Sequence, residues 1–229
     1  MTLYRPLKRL LDIILSFIAM VLFLPFFIPI AIALKLTGEG YIFYFQDRIG
    51  HKNKKFKIWK FATMLKASPS LGTGSITVKN DWRLTPLGGF LRKTKINEIP
   101  QIMNVFLGSM SIVGPRPQME VDFLKYPASM RDKINNVKPG ITGMAAIFFR
   151  DEEQYYRDIQ EDPHQFCERV ISPYKGALEI WYQDHFGFLT DLKIIFVTAW
   201  VIFFPTSQLP DKLFKNLPPR PPELTHTPT

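Results

Sequence analysis

Residues 13–34 form a run of 22 residues without a charged side chain, bounded by Asp12 and Lys35. As a helix, a run of that length crosses a bilayer core of roughly 30 Å. It is too long for the apolar region of a signal peptide, and nothing after it reads as a small-residue cleavage site. A buried core helix is the weaker reading, because so long a stretch without charge exceeds what a domain of this size hides. The chain is therefore expected to hold an N-terminal membrane segment. Pro25 and Pro29 sit in its middle; each removes a backbone donor and clashes with the preceding turn, so the segment is expected to bend or break near Leu24. Arg5, Lys8 and Arg9 precede the run, and Lys35, Lys52, Lys54, Lys55, Lys57 and Lys60 follow it. Both flanks thus carry the basic excess of a cytoplasmic side. Charge symmetry and central prolines together favour a re-entrant helix, which enters one leaflet and returns, over a kinked spanning one. Asp12, close to the entry, is expected at the interface, paired with Arg9 or capped by water, because a carboxylate deeper in lipid is costly.

The rest is ordinary globular material. The whole chain is 46% hydrophobic and carries 29 Lys+Arg against 20 Asp+Glu, a net charge of +9, which excludes wholesale disorder. A single cysteine, Cys167, excludes an intrachain disulfide framework and a multi-cysteine zinc site. The expected organisation is a membrane segment over 1–36, a mixed α/β, helix-dominated domain over 37–204 and a tail over 205–229. Within the domain, residues 192–204 (LKIIFVTAWVIFF) are apolar but too short to span, and Trp181, Tyr182 and Trp200 favour an interfacial over a core helix. The tail holds 7 of the 19 prolines and is expected to be extended and largely free of helix.

Residues 41–64 read as a hairpin, two apolar-aromatic runs joined by a Gly/His/Lys/Asn turn. Its lysines fit a solvated face and contact with anionic lipid headgroups about equally. Nucleic acid is disfavoured, because the aromatics follow the apolar face instead of interleaving with the charges. Residues 68–80 form a Ser/Gly/Thr-rich loop with neither a Walker lysine nor a GxGxxG spacing. Residues 81–117 are denser in signal. Thr85-Pro86 can cap and open a helix. Ile96, Ile99, Ile102, Met103 and Phe106 fall at helical spacing, which Pro100 interrupts. At that break Asn97 and Glu98 follow Arg92, Lys93 and Lys95. A carboxylate among cations at a turn is a candidate anion or metal-anion site, and a helix-terminal salt-bridge set fits equally well. In Gly114-Pro115-Arg116-Pro117 two prolines fix the backbone around an arginine, which suits two-pronged capture of phosphate. Asp151-Glu152-Glu153 read as a solvated helix start whose acids complement the dipole.

These stretches together resemble the bacterial sugar transferases, the monotopic phosphoglycosyl transferases that begin glycan assembly on a polyprenol carrier. The resemblance rests on the proline-broken apolar segment, FYFQDRIG (43–50), FKIWKFATM (56–64), DWRLTPLGGFLRK (81–93), NEIPQIMNV (97–105), MSIVGPRP (110–117), VKPGITG (137–143) and LTDLKII (189–195). It implies a re-entrant helix at the cytoplasmic face of the bacterial inner membrane, anionic lipids around it, and interfacial amphipathic helices. It also implies transfer of a phosphosugar from a UDP-sugar to polyprenyl phosphate with release of UMP; a homo-oligomer is an expected partner apart from the resemblance. Such a family uses an Asp-Glu pair, the Asp attacking phosphorus and the Glu helping to hold Mg²⁺ on the diphosphate. Carried over residue by residue, the pair falls on Asn97 and Glu98, the metal contact on Glu98, and substrate contacts on Lys60, Arg92, Arg116 and Glu179.

The chain departs from the pattern where it matters most. Asn97 stands in the slot of the attacking Asp, and a neutral amide is a poor nucleophile. Ala62, Ser109 and Ala146 replace the Arg, Asp and Gln usual at their positions. Three readings stay open: an enzyme that uses Glu98 or direct attack by the lipid phosphate, a non-catalytic homologue that binds nucleotide-sugar or a partner, and an Asp→Asn change that traps substrate. A basic membrane-surface adaptor, from another class, predicts lipid binding without UDP-sugar or Mg²⁺.

Overall fold

A computed structural model describes residues 4–72, 81–156 and 159–225. The expected loop over 68–80 thus lies partly outside the described residues, as do the last four residues of the tail. The apolar run lies within a helix, α1 (Tyr4–Leu36), which continues across Pro25 and Pro29. The expected break does not interrupt it. Each proline denies a donor to the carbonyl four residues earlier, so the losses fall on Val21 and Pro25, along the single stripe 21–25–29. The helix is apolar and long enough to cross a membrane, and Leu22, Leu24, Phe26 and Ile28 are exposed on it.

Polar groups fasten its first turns to the folded domain. Asp12 is buried and accepts from Ser111 Oγ at 3.1 Å and Ile112 N at 3.0 Å. It is therefore neither interfacial nor paired with Arg9, as expected from sequence. Ile112 lies in a two-stranded sheet, where its outward N–H has no strand partner and must find another acceptor; Asp12 is that acceptor. Arg9 instead donates to Val105 O at 2.6 Å and Phe106 O at 2.8 Å, two carbonyls in the last turn of α3 (Gln101–Leu107), of which Val105 O also accepts from the capping Gly108 N at 3.0 Å. Tyr4 and Lys8 both reach Asp191. The far end of α1 packs on the same domain: Phe27 lies 5.3 Å from Phe61 and 5.6 Å from Phe43, ring centroid to centroid, and Leu34 is buried with Phe61 and Leu91.

The expected hairpin is present. Strands β1 (Phe43–Ile49) and β2 (Lys55–Phe61) pair antiparallel, with Tyr44 opposite Lys60 and Arg48 opposite Phe56. Asn104 of α3 clips it, accepting from Trp59 N at 2.9 Å and donating to Lys57 O at 2.8 Å. The next helix, α2 (Gly88–Lys93), starts later than the Thr85-Pro86 signal suggests. Thr85 is buried and bonds to the exit of the hairpin, its N–H meeting Thr63 O at 3.0 Å and its Oγ1 donating to the same carbonyl at 3.3 Å, so its hydroxyl is directed to the hairpin and the N-cap of α2 is Leu87. The chain passes so close there that a Cβ on Gly88 would lie 2.0 Å from that carbonyl.

Beyond α3, β3 (Ser111–Val113) pairs in parallel with β4 (Gly140–Thr142), and α4 (Glu120–Phe123) and α5 (Ala128–Ile134) connect them. Then come α6 (Met144–Phe148), α7 (Pro163–Phe166), a π-helical segment (Cys167–Ile171), α8 (Ser172–Asp184) and α9 (Phe188–Phe203). Met144, Ile171, Leu178, Tyr182, Ile194 and Val197 are fully buried between these helices. The second apolar stretch falls on α9, which is two-faced: Asp191, Ile194, Val197 and Val201 face inward, while Leu192, Phe196 and Phe203 are exposed. The tail differs from its expected extended form. It includes α10 (Leu209–Leu213) and a 3-10 turn (Pro222–Leu224), and buries Phe214 and Leu224 in the helical core. Trp181 Nε1 donates to Lys215 O at 3.2 Å, and Arg169 bridges Glu161 and Glu223.

Replacing Asp12 by Ala strands two buried donors, which costs about 1–3 kcal/mol each. Thermal unfolding of Asp12→Ala in detergent micelles is expected to show a clear loss relative to an exposed-face control such as Leu22→Ala. Equal midpoints would remove Asp12 as an anchor.

Candidate active site

The proline at position 100 divides the helical pattern of 96–106 into two pieces, a 3-10 turn (Ile96–Glu98) and α3, which starts directly after it. Lys95 enters the turn in the left-handed region, φ 60°. The turn sets Glu98 toward two cations that are remote in sequence. Arg116 Nη2 donates to Glu98 Oε1 at 2.6 Å and Nη1 to Oε2 at 3.3 Å, while Lys60 Nζ donates to Oε1 at 3.2 Å. Burial pushes the Glu98 carboxyl up, but the Arg116 and Lys60 charges outweigh it and hold the group well below the usual carboxylate range. Burial likewise pushes Lys60 down, to about 8, against the pull of Glu98.

Arg116 owes its position to backbone packing. A Cβ on Gly114 would lie 2.2 Å from Lys138 O, so only glycine lets the loop 114–117 press against the β4 approach, where Gly140 N donates to Pro115 O and Gly114 N to Thr142 O, each at 2.9 Å. Beneath the loop stands Glu179 of α8, 1% exposed. It accepts from Arg116 N at 3.2 Å, and its Oε2 has no hydrogen-bond partner. Desolvation pushes its carboxyl up to about 8, against the opposing Arg116 N–H and the Lys175 charge. Glu179 thus braces the Arg116 loop from inside.

Lys60 and Arg116 line one small depression with Arg48, Ile58, Gln101 and Pro117. Of the residues singled out from sequence, Lys60, Glu98 and Arg116 are brought together. Arg92 has Met64 Sδ 3.4 Å from its Nη1. Asn97 is buried beside Glu98 in the chain, its Oδ1 without a partner. Glu152 differs from the solvated acid expected: it pairs with Lys175 at 2.6 Å and accepts from Tyr156 at 3.0 Å. Arg48 was not singled out. Strand alternation could have found it, because Gln46 and Arg48 share the face of β1 that carries Tyr44, opposite Ile58 and Lys60 on β2.

Among the described residues no three His, Cys, Asp or Glu side chains group as a metal cage. Mg²⁺ is commonly held by one or two carboxylates together with substrate phosphates. One carboxylate, Glu98, followed in the chain by no second acid but preceded by an amide oxygen without a partner, fits that shared mode and not a cage made by protein alone.

A family model described as bacterial sugar transferase matches residues 3–205. The chain is 35% identical over 202 residues to the UDP-glucose:undecaprenyl-phosphate glucose-1-phosphate transferase of Klebsiella pneumoniae, covering 87% of this chain and 41% of that one. It is 34% identical to an Aeromonas hydrophila UDP-N-acetylgalactosamine-undecaprenyl-phosphate N-acetylgalactosaminephosphotransferase, covering 87% of this chain and 44% of the relative. It is 32% identical to the exopolysaccharide production protein PSS of Rhizobium leguminosarum bv. phaseoli, covering 84% and 93%. The chain thus spans about two fifths of the Klebsiella relative and nearly all of the Rhizobium one.

Glu179 keeps its proton to about pH 8 in the folded chain, against an ordinary value of 4.5. The folded state therefore binds one more proton than the unfolded between these values, and stability falls as pH rises through that window. Glu179→Gln removes this term. Thermal unfolding from pH 5 to pH 8 is expected to fall more steeply for the natural chain than for Glu179→Gln; parallel profiles would mean an ordinary, ionised carboxylate.

Proposed function

We propose that this chain, which belongs to the bacterial sugar transferase family, transfers a phosphosugar from a UDP-sugar to polyprenyl phosphate at the cytoplasmic face of the bacterial inner membrane, releasing UMP. The observation that carries the reading is the convergence of Arg48, Lys60 and Arg116 on one depression, two of them gripping the half-buried carboxylate of Glu98, in a domain fastened along an exposed apolar helix. A diphosphate needs clustered cations, and a polyprenol needs a site beside the hydrocarbon.

The two ends of α1 support this membrane placement. Asp12 and Leu34 are about 33 Å apart along a straight helix at 1.5 Å per residue, and both contact the same domain. A helix spanning upright would drag that polar domain through the hydrocarbon. A shallow course that returns to the same face leaves the domain on one side; α1 runs on across Pro25 and Pro29, where two missing backbone donors make curvature least costly. The exposed face of α9 lies in the interface in the same reading.

In the site, Lys60 and Arg116 bind and orient the diphosphate. Glu98 holds both cations in place and, with the diphosphate, would hold Mg²⁺, which supplies charge neutralisation at the phosphoryl oxygens. Asn97 offers no nucleophile, and Glu98 is locked between Arg116 and Lys60. The attack therefore falls to an oxygen of the lipid phosphate: its bond to the sugar-bearing phosphorus forms as the bridge to UMP breaks, and UMP leaves with the bridging oxygen and its electrons. A second reading rests on the same Asn97: a homologue that binds nucleotide-sugar without turnover.

UMP release from a panel of UDP-sugars is expected to depend strictly on added polyprenyl phosphate, and Glu98→Gln is expected to lower it about a hundredfold or more, the usual cost of one charge-organising group. Release by Asn97→Asp alone, with none from the natural chain, would replace transfer by the second reading.

A further inference from the structure

The three cations of the depression are not equally committed. Arg116 and Lys60 share Glu98. Arg48 has only neutral partners: its Nη2 donates to Gln46 Oε1 at 2.5 Å and its Nη1 to Pro117 O at 3.3 Å, while its enclosed Nε has no hydrogen-bond partner. Among the described residues it forms no ion pair with a carboxylate. Arg48 feels the charges of Asp122 and Glu98 but ion-pairs with neither, and holding a half-buried guanidinium with one enclosed N–H unbonded is costly. That cost is removed if an anion completes the site when it binds. The depression is lined by three cations and by no carboxylate, which suits the dianionic bridge of a nucleotide-sugar.

We propose that Arg48 is a substrate-binding residue that takes one phosphate of the diphosphate while Arg116 and Lys60 take the other, so that the site selects a diphosphate over a monophosphate. This rests on the diphosphate reading above. The geometry supports the division of labour. Arg48 and Lys60 lie on paired strands and on one face of the hairpin, four register positions apart, with Tyr44 opposite Lys60 and Phe56 opposite Arg48, and both line the same depression, with Ile58 between them. Gln46 and the Pro117 carbonyl orient the Arg48 fork, and Pro117 belongs to the loop that carries Arg116, so the two guanidinium groups are positioned by one rigid turn. A phosphate that enters beside Arg116 then has its neighbour delivered to Arg48. Cleavage of the bridge separates the two phosphates, and UMP can keep only one of these contacts.

The test is calorimetric binding of inorganic pyrophosphate and inorganic phosphate to the full-length chain in detergent micelles, without divalent cation, followed by UDP and UMP. The natural chain is expected to prefer pyrophosphate. Arg48→Gln is expected to lose roughly tenfold or more in pyrophosphate affinity, the scale of a lost charged hydrogen bond, with phosphate affinity changed far less. Lys55→Gln removes an exposed cation of the same hairpin, outside the depression, and is expected to keep pyrophosphate binding within about threefold, because exposed charges are screened. Pyrophosphate binding by Arg48→Gln equal to that of the natural chain overturns the proposal, as does an equal loss in both variants, which marks the effect as general charge and not a contact. A natural chain that binds neither pyrophosphate nor UDP overturns the diphosphate reading itself.

Discussion

One carboxylate joins the long apolar helix to the candidate site. Asp12 sits in the third turn of α1 and accepts from Ser111 and Ile112, so the first strand of the small parallel sheet is held against the helix. The residues that follow that strand are Gly114, Pro115 and Arg116. The guanidinium that grips Glu98 is therefore only a few residues from the strand that is fastened to the exposed apolar helix. Arg9 acts in parallel, closing the end of α3, the helix that begins just after the Glu98 turn. Two side chains of one helical stretch thus fix both walls of the site. An apolar anchor attached by a flexible linker could not do this, because each extra residue of freedom blurs the distance between site and bilayer.

The site itself shows how charge can be concentrated without collapsing. Arg116, Lys60 and Arg48 repel one another in a partly enclosed space, and burial already presses Lys60 and Arg48 toward their neutral forms. Glu98 offsets part of that repulsion, and its two oxygens are shared between two of the cations. Glu179, underneath, contributes differently: a carboxylic acid that keeps its proton can accept from the Arg116 backbone without adding a second full negative charge. Were it ionised, the attraction that the depression offers to an anionic ligand would be weaker. The arrangement thus reserves positive charge for what arrives.

How much of this was legible in the sequence depends on how local each cause is. The apolar run, the hairpin and the break at Pro100 were readable, since each is written in neighbouring residues: hydrophobic length, alternation around a turn, a missing donor. Arg116 was readable because two prolines announced a fixed backbone. What could not be read were contacts closed by the fold. Asp12 seemed destined for the interface with Arg9 because they are near in sequence, yet the donors it meets lie about a hundred residues away. Glu98 stood among Arg92, Lys93 and Lys95 in the chain, but its partners are Lys60 and Arg116. Thr85-Pro86 carried a helix-start signal that tertiary bonding to Thr63 overrode. The tail looked extended because proline-rich segments usually are; Phe214 and Leu224 gave it apolar side chains to bury, and a helix of five residues opened with a proline is compatible with both facts.

Asn97 carries the remaining argument. Its side-chain oxygen is buried and unbonded, a position that costs about 1–3 kcal/mol in a protein interior. A carboxylate there would be an attacking group, but it would also bring a second negative charge next to Glu98, and so would draw on the same cations that hold the diphosphate. The amide avoids that competition. It leaves Arg48, Lys60 and Arg116 opposed by a single carboxylate, a site biased toward holding a dianionic bridge and away from forming a bond to it. If turnover occurs in such a site, the nucleophile must come with its own charge and from the membrane side, and the polyprenyl phosphate meets both conditions. An amide at position 97 and the proposed binding of a diphosphate are thus physically compatible: an amide adds no negative charge to a depression lined by three cations.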